Sequence, residues 1–225
     1  MPYCMGTLYW QFNDCWPVIS WSSIDYGGNW KALHYAARKF FSPLLVSMRD
    51  LDNKIEIHVT NDQHYEIESE IRLGLFNFNG DTLFNDSSYI KVEPFSSVIY
   101  RAFDKDDLLG GSDPSAIMFR VELFVDSKVI SRAQKYFRRP KHLSIPSPEF
   151  DYEIERVSGK YVITVRSKSF LCQLHLISTK VRGVFSDNYF DMLPGEVQMI
   201  DFEPSENKEL KKSEFRAVTL YEMMN

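Results

Sequence analysis

The chain has 225 residues, 26 basic and 31 acidic, with a formal net charge of −5. At 44% hydrophobic and 25% charged it is globular rather than disordered, and ten glycines exclude low-complexity or collagen-like character. The mild acidity argues against a general phosphate surface and hence a nucleic-acid partner. No apolar run approaches the ~18 residues of a membrane span, and the length falls short of the ~250 residues of a complete (β/α)₈ barrel plus a companion domain.

Residues 6–12 (GTLYWQF) form a short apolar run with β-branched and aromatic members, which predicts a buried strand. Residues 13–28 predict a loop closing on Gly27-Gly28, long enough to suggest function. Asn29 predicts the N-cap of a helix over about 30–41, because Trp30, Leu33, Ala37, Phe40 and Phe41 fall on one face. Pro43 stops it. Strand, loop and helix make one βα unit of a parallel α/β fold, and such a unit lacks neighbours for its strand. The chain therefore reads as cut from something larger.

After Pro43 the period changes to two. Strands are predicted at 54–60, 67–76, 97–103, 117–125 and 129–137, with turn chemistry at Asn61-Asp62 and Asn79-Gly80-Asp81. Strands at this spacing without helices predict a β-sandwich. Three prolines in 138–148 mark a linker. Strands resume at 151–157, 161–167, 172–178, 196–202 and 214–221, with a hairpin turn at Val157-Ser158-Gly159-Lys160.

All four tryptophans, Trp10, Trp16, Trp21 and Trp30, precede the β regions. Polar Gln11, Asn13, Asp14, Ser20, Ser22, Ser23 and Asp25 interleave with them. Aromatic faces beside amides and carboxylates at a strand's C-terminal end suit a sugar, whose C–H faces stack on indole and whose hydroxyls need two-way partners. Core filling is the competing reading for any one indole. His34, His58, His64, His142 and His175 are scattered without paired-ligand spacing, and Ser22-Ser23 lacks a G-x-S-x-G context. Asp187-Asn188 is far short of a calcium loop and reads as a turn. Cys4, Cys15 and Cys172 form no CxxC pair and read as unpaired buried thiols, with a Cys4–Cys15 bridge left open. The opening MPYCMGTLYW has neither the basic nor the long apolar region of a signal peptide.

Residues 6–47, GTLYWQFNDCWPVISWSSIDYGGNWKALHYAARKFFSPLLVS, resemble the end of the catalytic barrel in β-mannosidases of glycoside hydrolase family 2. Residues 183–196 (GVFSDNYFDMLPGE) resemble the C-terminal Ig-like domain of the same enzymes. The resemblance implies a mainly β chain: two Ig-like antiparallel β-sandwiches preceded by the last βα unit of a truncated (β/α)₈ barrel. The implied parts are 1–45, the terminal strand, loop and helix of the barrel, then sandwiches over 46–140 and 141–225. The implied reaction is retaining hydrolysis of terminal non-reducing β-D-mannose by two glutamates about 5–5.5 Å apart. No segment here matches either glutamate motif, so no catalytic residue is expected in this chain, and no metal or other cofactor is implied. Trp10 matches a tryptophan lining the family's sugar pocket. Asn13, Asp14 and Trp16 follow at its rim, where Asp14 equally suits holding the loop by bonding backbone N–H groups. Trp21 and Trp30 are assigned to packing. The implied partners are a β-mannoside or manno-oligosaccharide and the upstream barrel, with a homo-oligomer left open. The family resemblance implies a periplasmic, secreted or lysosomal setting. Competing functions are a mannan-binding sandwich module and a non-catalytic scaffold for dimerisation or docking.

Overall fold

A computed structural model describes residues 6–224. Helix α1 (Ala32–Phe40) comes first and is followed by β1 (Leu44–Asp50), β2 (Lys54–Asn61), β3 (Ile67–Asn77), β4 (Thr82–Val92) and β5 (Ser96–Asp104). A short α2 (Lys105–Leu109) leads to β6 (Ile117–Val125) and β7 (Lys128–Tyr136). Two antiparallel sheets result, in the orders β1-β2-β5 and β4-β3-β6-β7. Period two drives the packing: Ile55, Ile57 and Val59 of β2 and Ile71, Leu73 and Leu75 of β3 all point inward to one core, with Phe119 and Val121 of β6.

β1 and β4 are absent from the sequence expectation. β1 opens on Leu44-Leu45-Val46, a run without alternation, directly behind a helix-stopping proline. β4 is an edge strand whose residues are mostly exposed, so its composition carries little apolar period.

The second sandwich holds β8 (Phe150–Val157), β9 (Lys160–Ser167), β10 (Leu171–Ser178), β11 (Gly183–Phe185), β12 (Phe190–Met192), β13 (Val197–Pro204) and β14 (Phe215–Val218). Its sheets run β11-β13-β9-β8 and β12-β10-β14. Ser158 and Gly159 both take positive φ, as the predicted two-residue hairpin between Val157 and Lys160 requires. The strand expected at 214–221 ends at Val218, because Thr219 starts α3 (Leu220–Met224): its N–H donates to Glu222 Oε2 at 2.7 Å. β11 and β12 are three residues each, too short to show a period.

The proline linker carries a 3₁₀ turn at Pro140–His142. Beside it the sandwiches share an apolar seam of Phe78, Met118, Leu143, Phe170, Cys172 and Leu193, with Phe78 and Phe170 stacked at 4.1 Å. Polar bonds cross the same seam. Buried Arg120 reaches Glu196 at 2.5 Å, and the Tyr136 hydroxyl donates to buried Asp191 at 2.6 Å. Burial, with the Asp191 charge behind it, pushes the Cys172 thiol up to about 12, so it stays protonated and inert.

The start departs from expectation. Residues 6–12 form no strand. A parallel strand needs partners on its flanks, and here only its last residues have one, with Ser23 and Ile24 N–H donating to Gln11 O and Phe12 O at 3.0–3.1 Å. The helix is present, but Lys31 rather than Asn29 is its N-cap and gives no side-chain cap bond. The Asn29 side chain donates instead to Asp25 Oδ2 at 2.8 Å, closing the glycine turn. Cys15 is an exposed free thiol rather than a buried one. The suggested Cys4 bridge lies outside the described residues.

Candidate functional site: the tryptophan loop

The loop from Phe12 to Trp30 is folded by its own polar groups. Asn13 and Ile24 form a parallel bridge, and Ile24 and Trp30 an antiparallel one. Asp14 N–H donates to Ile24 O at 3.0 Å, and Lys31 N–H to Ser23 O at 2.9 Å. At the centre lies Asp14, only 5% exposed. Its Oδ1 accepts from Ser20 Oγ at 2.5 Å and its Oδ2 from Lys31 Nζ at 2.9 Å. Lys31 also donates to Ser22 Oγ at 2.7 Å. The Ser20 hydroxyl, then the Lys31 ammonium, hold the Asp14 carboxyl below the usual carboxylate range, against the cost of burial.

A second knot lies beneath. Ser23 Oγ donates to Phe12 O at 2.8 Å and meets Tyr9 Oη at 3.0 Å and His34 Nδ1 at 3.1 Å. The His34 ring packs on Trp30 at 4.4 Å and on Phe12 at 5.8 Å. Burial, then repulsion from Arg38, lowers the His34 pKa and keeps the ring neutral.

This scaffold turns its aromatics outward. Trp10 is 79% exposed, and its peptide bond to Gln11 is cis. Trp16 and Trp21 are also mostly exposed, as are Leu8, Phe12 and Ile19. Trp30 alone of the four tryptophans is half-buried, packing on Tyr35 at 5.4 Å. The expected packing role thus holds for Trp30. Trp21, assigned to packing as well, is 68% exposed. Asn13 is exposed, like Trp10 and Trp16, while Asp14 is buried with both carboxylate oxygens engaged. Asp14 does hold the loop, but through Ser20 and Lys31 rather than through backbone N–H groups.

Two family models match in tandem. Residues 53–142 match the Mannosidase Ig/CBM-like domain and residues 145–223 the mannosidase Ig-fold domain. This chain belongs to the β-mannosidase family. It is 26% identical over 218 residues to β-mannosidase A of Aspergillus oryzae, covering 90% of this chain and 24% of the relative. With the β-mannosidase of Mus musculus it shares 24% identity over 222 residues, covering 94% of this chain and 25% of the relative. The chain thus spans about a quarter of the curated relatives it matches. The crystal structure of a β-D-mannosidase from Dictyoglomus thermophilum has the same fold over 94% of this chain and 26% of its own, with a TM-score of 0.81 at 23% identity.

Within this β-mannosidase-family chain, the sequence pattern places Ser20 among the polar residues of the tryptophan loop but does not single out Lys31 or Tyr35. Lys31 lies off the predicted apolar face, and its signal is indirect: a lysine opening a helix after a loop that holds Asp14, Asp25 and three serines. Tyr35 lies off the predicted apolar face, yet it is 4% exposed. No helix among the described residues is long and apolar enough to cross a membrane.

Proposed function

We propose that this chain is the C-terminal part of a retaining β-mannosidase acting on terminal non-reducing β-D-mannose. Residues up to about 45 complete the catalytic barrel, and sandwiches over about 46–140 and 141–225 brace it. The observation that carries the reading is the outward set of Leu8, Trp10, Phe12, Ile19 and Trp21 on a loop fixed from within by Asp14 and Lys31. Exposed apolar surface of this extent marks an interaction face. Neighbouring barrel strands would cover Leu8 and Phe12 and restore the missing strand pairing of residues 6–12.

Trp10 then forms a stacking wall for the mannosyl ring. Asn13 and Trp16 stand at the rim, and Asp14 positions the loop without touching sugar. The nucleophile and the acid/base are glutamates of the barrel's earlier strands, so the 225-residue chain has no hydrolytic activity of its own. The test joins the chain to a β-mannosidase barrel and assays aryl β-D-mannosides. Replacing Trp10→Ala should lower kcat/KM by about tenfold, the loss of a stacked contact of ~1.4 kcal/mol. An unchanged kcat/KM would remove Trp10 from the site.

A further inference from the structure

Helix α1 runs directly into the first sandwich, yet its anchorage is in the second. Tyr35 enters the second core, among Phe185, Phe190 and Phe202, with its ring 5.8 Å from that of Tyr189. Its hydroxyl faces the Asn188 side chain and the Phe185 backbone. Asn188 is itself fixed: it accepts from Leu176 N–H at 2.8 Å and donates to Leu176 O at 2.9 Å, standing in for a strand partner. Further contacts come from the same short stretch, residues 182–189. Arg38 Nη1 donates to Ser186 O at 3.1 Å, Lys39 pairs with Asp187 at 2.9 Å, and Arg182 Nη1 donates to Gly27 O at 2.9 Å. The last contact is close: a Cβ at Gly27 would lie 3.2 Å from the Arg182 guanidinium carbon.

From α1 the path to the tryptophans is short. Lys31, the N-cap, holds Asp14 with its ammonium and Ser23 with its N–H. Asn13 and Ile24 are bridged beside them. We infer that residues 182–189 of the C-terminal sandwich are a positioning element for the tryptophan loop, with Tyr35 the positioning residue that docks the helix and Arg182 the clip on its glycine turn. The inference rests on the proposed sugar site for its consequence in catalysis, and on the geometry alone for its consequence in the loop.

The test compares the 225-residue chain with Tyr35→Ala, Tyr35→Phe and Arg182→Met variants by hydrogen exchange. Arg182 is exposed, so its replacement leaves the sandwich core untouched even if Tyr35→Ala unfolds the second sandwich. Expected is at least about tenfold faster exchange over residues 13–31 in Tyr35→Ala, a smaller rise confined to 23–29 in Arg182→Met, and unchanged exchange in β2, β3 and β6. Tyr35→Phe, which keeps the ring, should stay near the parent. Unchanged exchange over 13–31 in both Tyr35→Ala and Arg182→Met would overturn the inference. In a polypeptide with the barrel, Arg182→Met should raise KM for an aryl β-mannoside several-fold with kcat nearly constant, the signature of a displaced binding wall. A lower kcat at constant KM would mean a smaller folded fraction and would count against positioning. Loss of turnover in every form would sink the β-mannosidase reading, while the exchange data would still decide the inference.

Discussion

The tryptophan loop and the two sandwiches satisfy their backbone in opposite ways. In the sandwiches, long registered ladders pair strand with strand over cores that exclude water, and Ile57, Ile71, Phe119, Ile163 and Phe202 are fully buried. In the loop, isolated bridges and side-chain bonds to Asp14 and Ser23 replace the ladder, and the large rings face solvent. A self-sufficient fold hides its apolar groups. A segment built to be finished by other elements keeps its own polar groups satisfied and leaves its apolar groups outside.

The contrast breaks most directly by truncating rings on either side of it. Phe119→Ala should cost about 3–5 kcal/mol in urea unfolding, the value for a buried phenylalanine, while Trp21→Ala should change stability by less than ~0.5 kcal/mol. Equal losses would mean that the loop carries a core of its own. The seam is next. Glu196→Ala strands Arg120, whose side chain is 5% exposed, but Glu196 itself is 34% exposed. The loss should therefore be about 2 kcal/mol, below the ~3–5 kcal/mol of a fully buried broken pair, and thermal unfolding should separate into two transitions. A single unshifted transition would show that the apolar seam alone couples the sandwiches.

Acid should sharpen the contrast further. Burial lowers the pKa of His34 on α1, beneath the loop, and of His175 in the second sandwich, from an ordinary 6.5. The unfolded chain then binds more protons than the folded one, so this stability is complete above about pH 6.5 and is lost as pH falls through the folded values. Asp14 follows at lower pH, its stability being present above about 3.8 and lost below it. Protection factors over residues 9–34 should fall as the pH drops below 6.5, and replacing His34→Gln should flatten that response. An unchanged acid response in the variant would exclude His34 as its source. The smallest effect concerns association. The exposed Leu8, Ile19 and Trp21 predict concentration-dependent self-association in light scattering, reduced by Ile19→Ser with Trp21→Ser. A strict monomer at all concentrations would contradict it.

Much of this was readable from the residues. Alternation in KIEIHVT gives a half-buried strand, and the structure forms it as β2 with odd positions inward; the predicted strand IMFRVELFV forms as β6, whose odd positions enter the first core while Met118 and Arg120 are buried on its other face. Helix α1 is present within two residues of its predicted bounds. What escaped has physical causes. β4 is an exposed edge without an apolar period, and β11 and β12 are too short to have one. The strand of residues 6–12 follows from composition alone, but a parallel strand is a property of its neighbours and is absent when they are. In the candidate site, Trp10 and Trp16 are singled out by their clustering with polar residues and by the resemblance, while the exposed Trp21 is assigned to packing. The burial of Asp14 and the docking of Tyr35 depend on Lys31 and on residues 182–189, a pairing across more than a hundred positions that no local pattern encodes.

The most direct test is the hydrolysis of an aryl β-D-mannoside by the purified 225-residue chain, beside the same chain joined to a β-mannosidase barrel. The account predicts no turnover by the chain alone and turnover in the joined polypeptide. Turnover by the chain alone, surviving repeated purification, would contradict it by showing that the catalytic carboxylates lie within these residues.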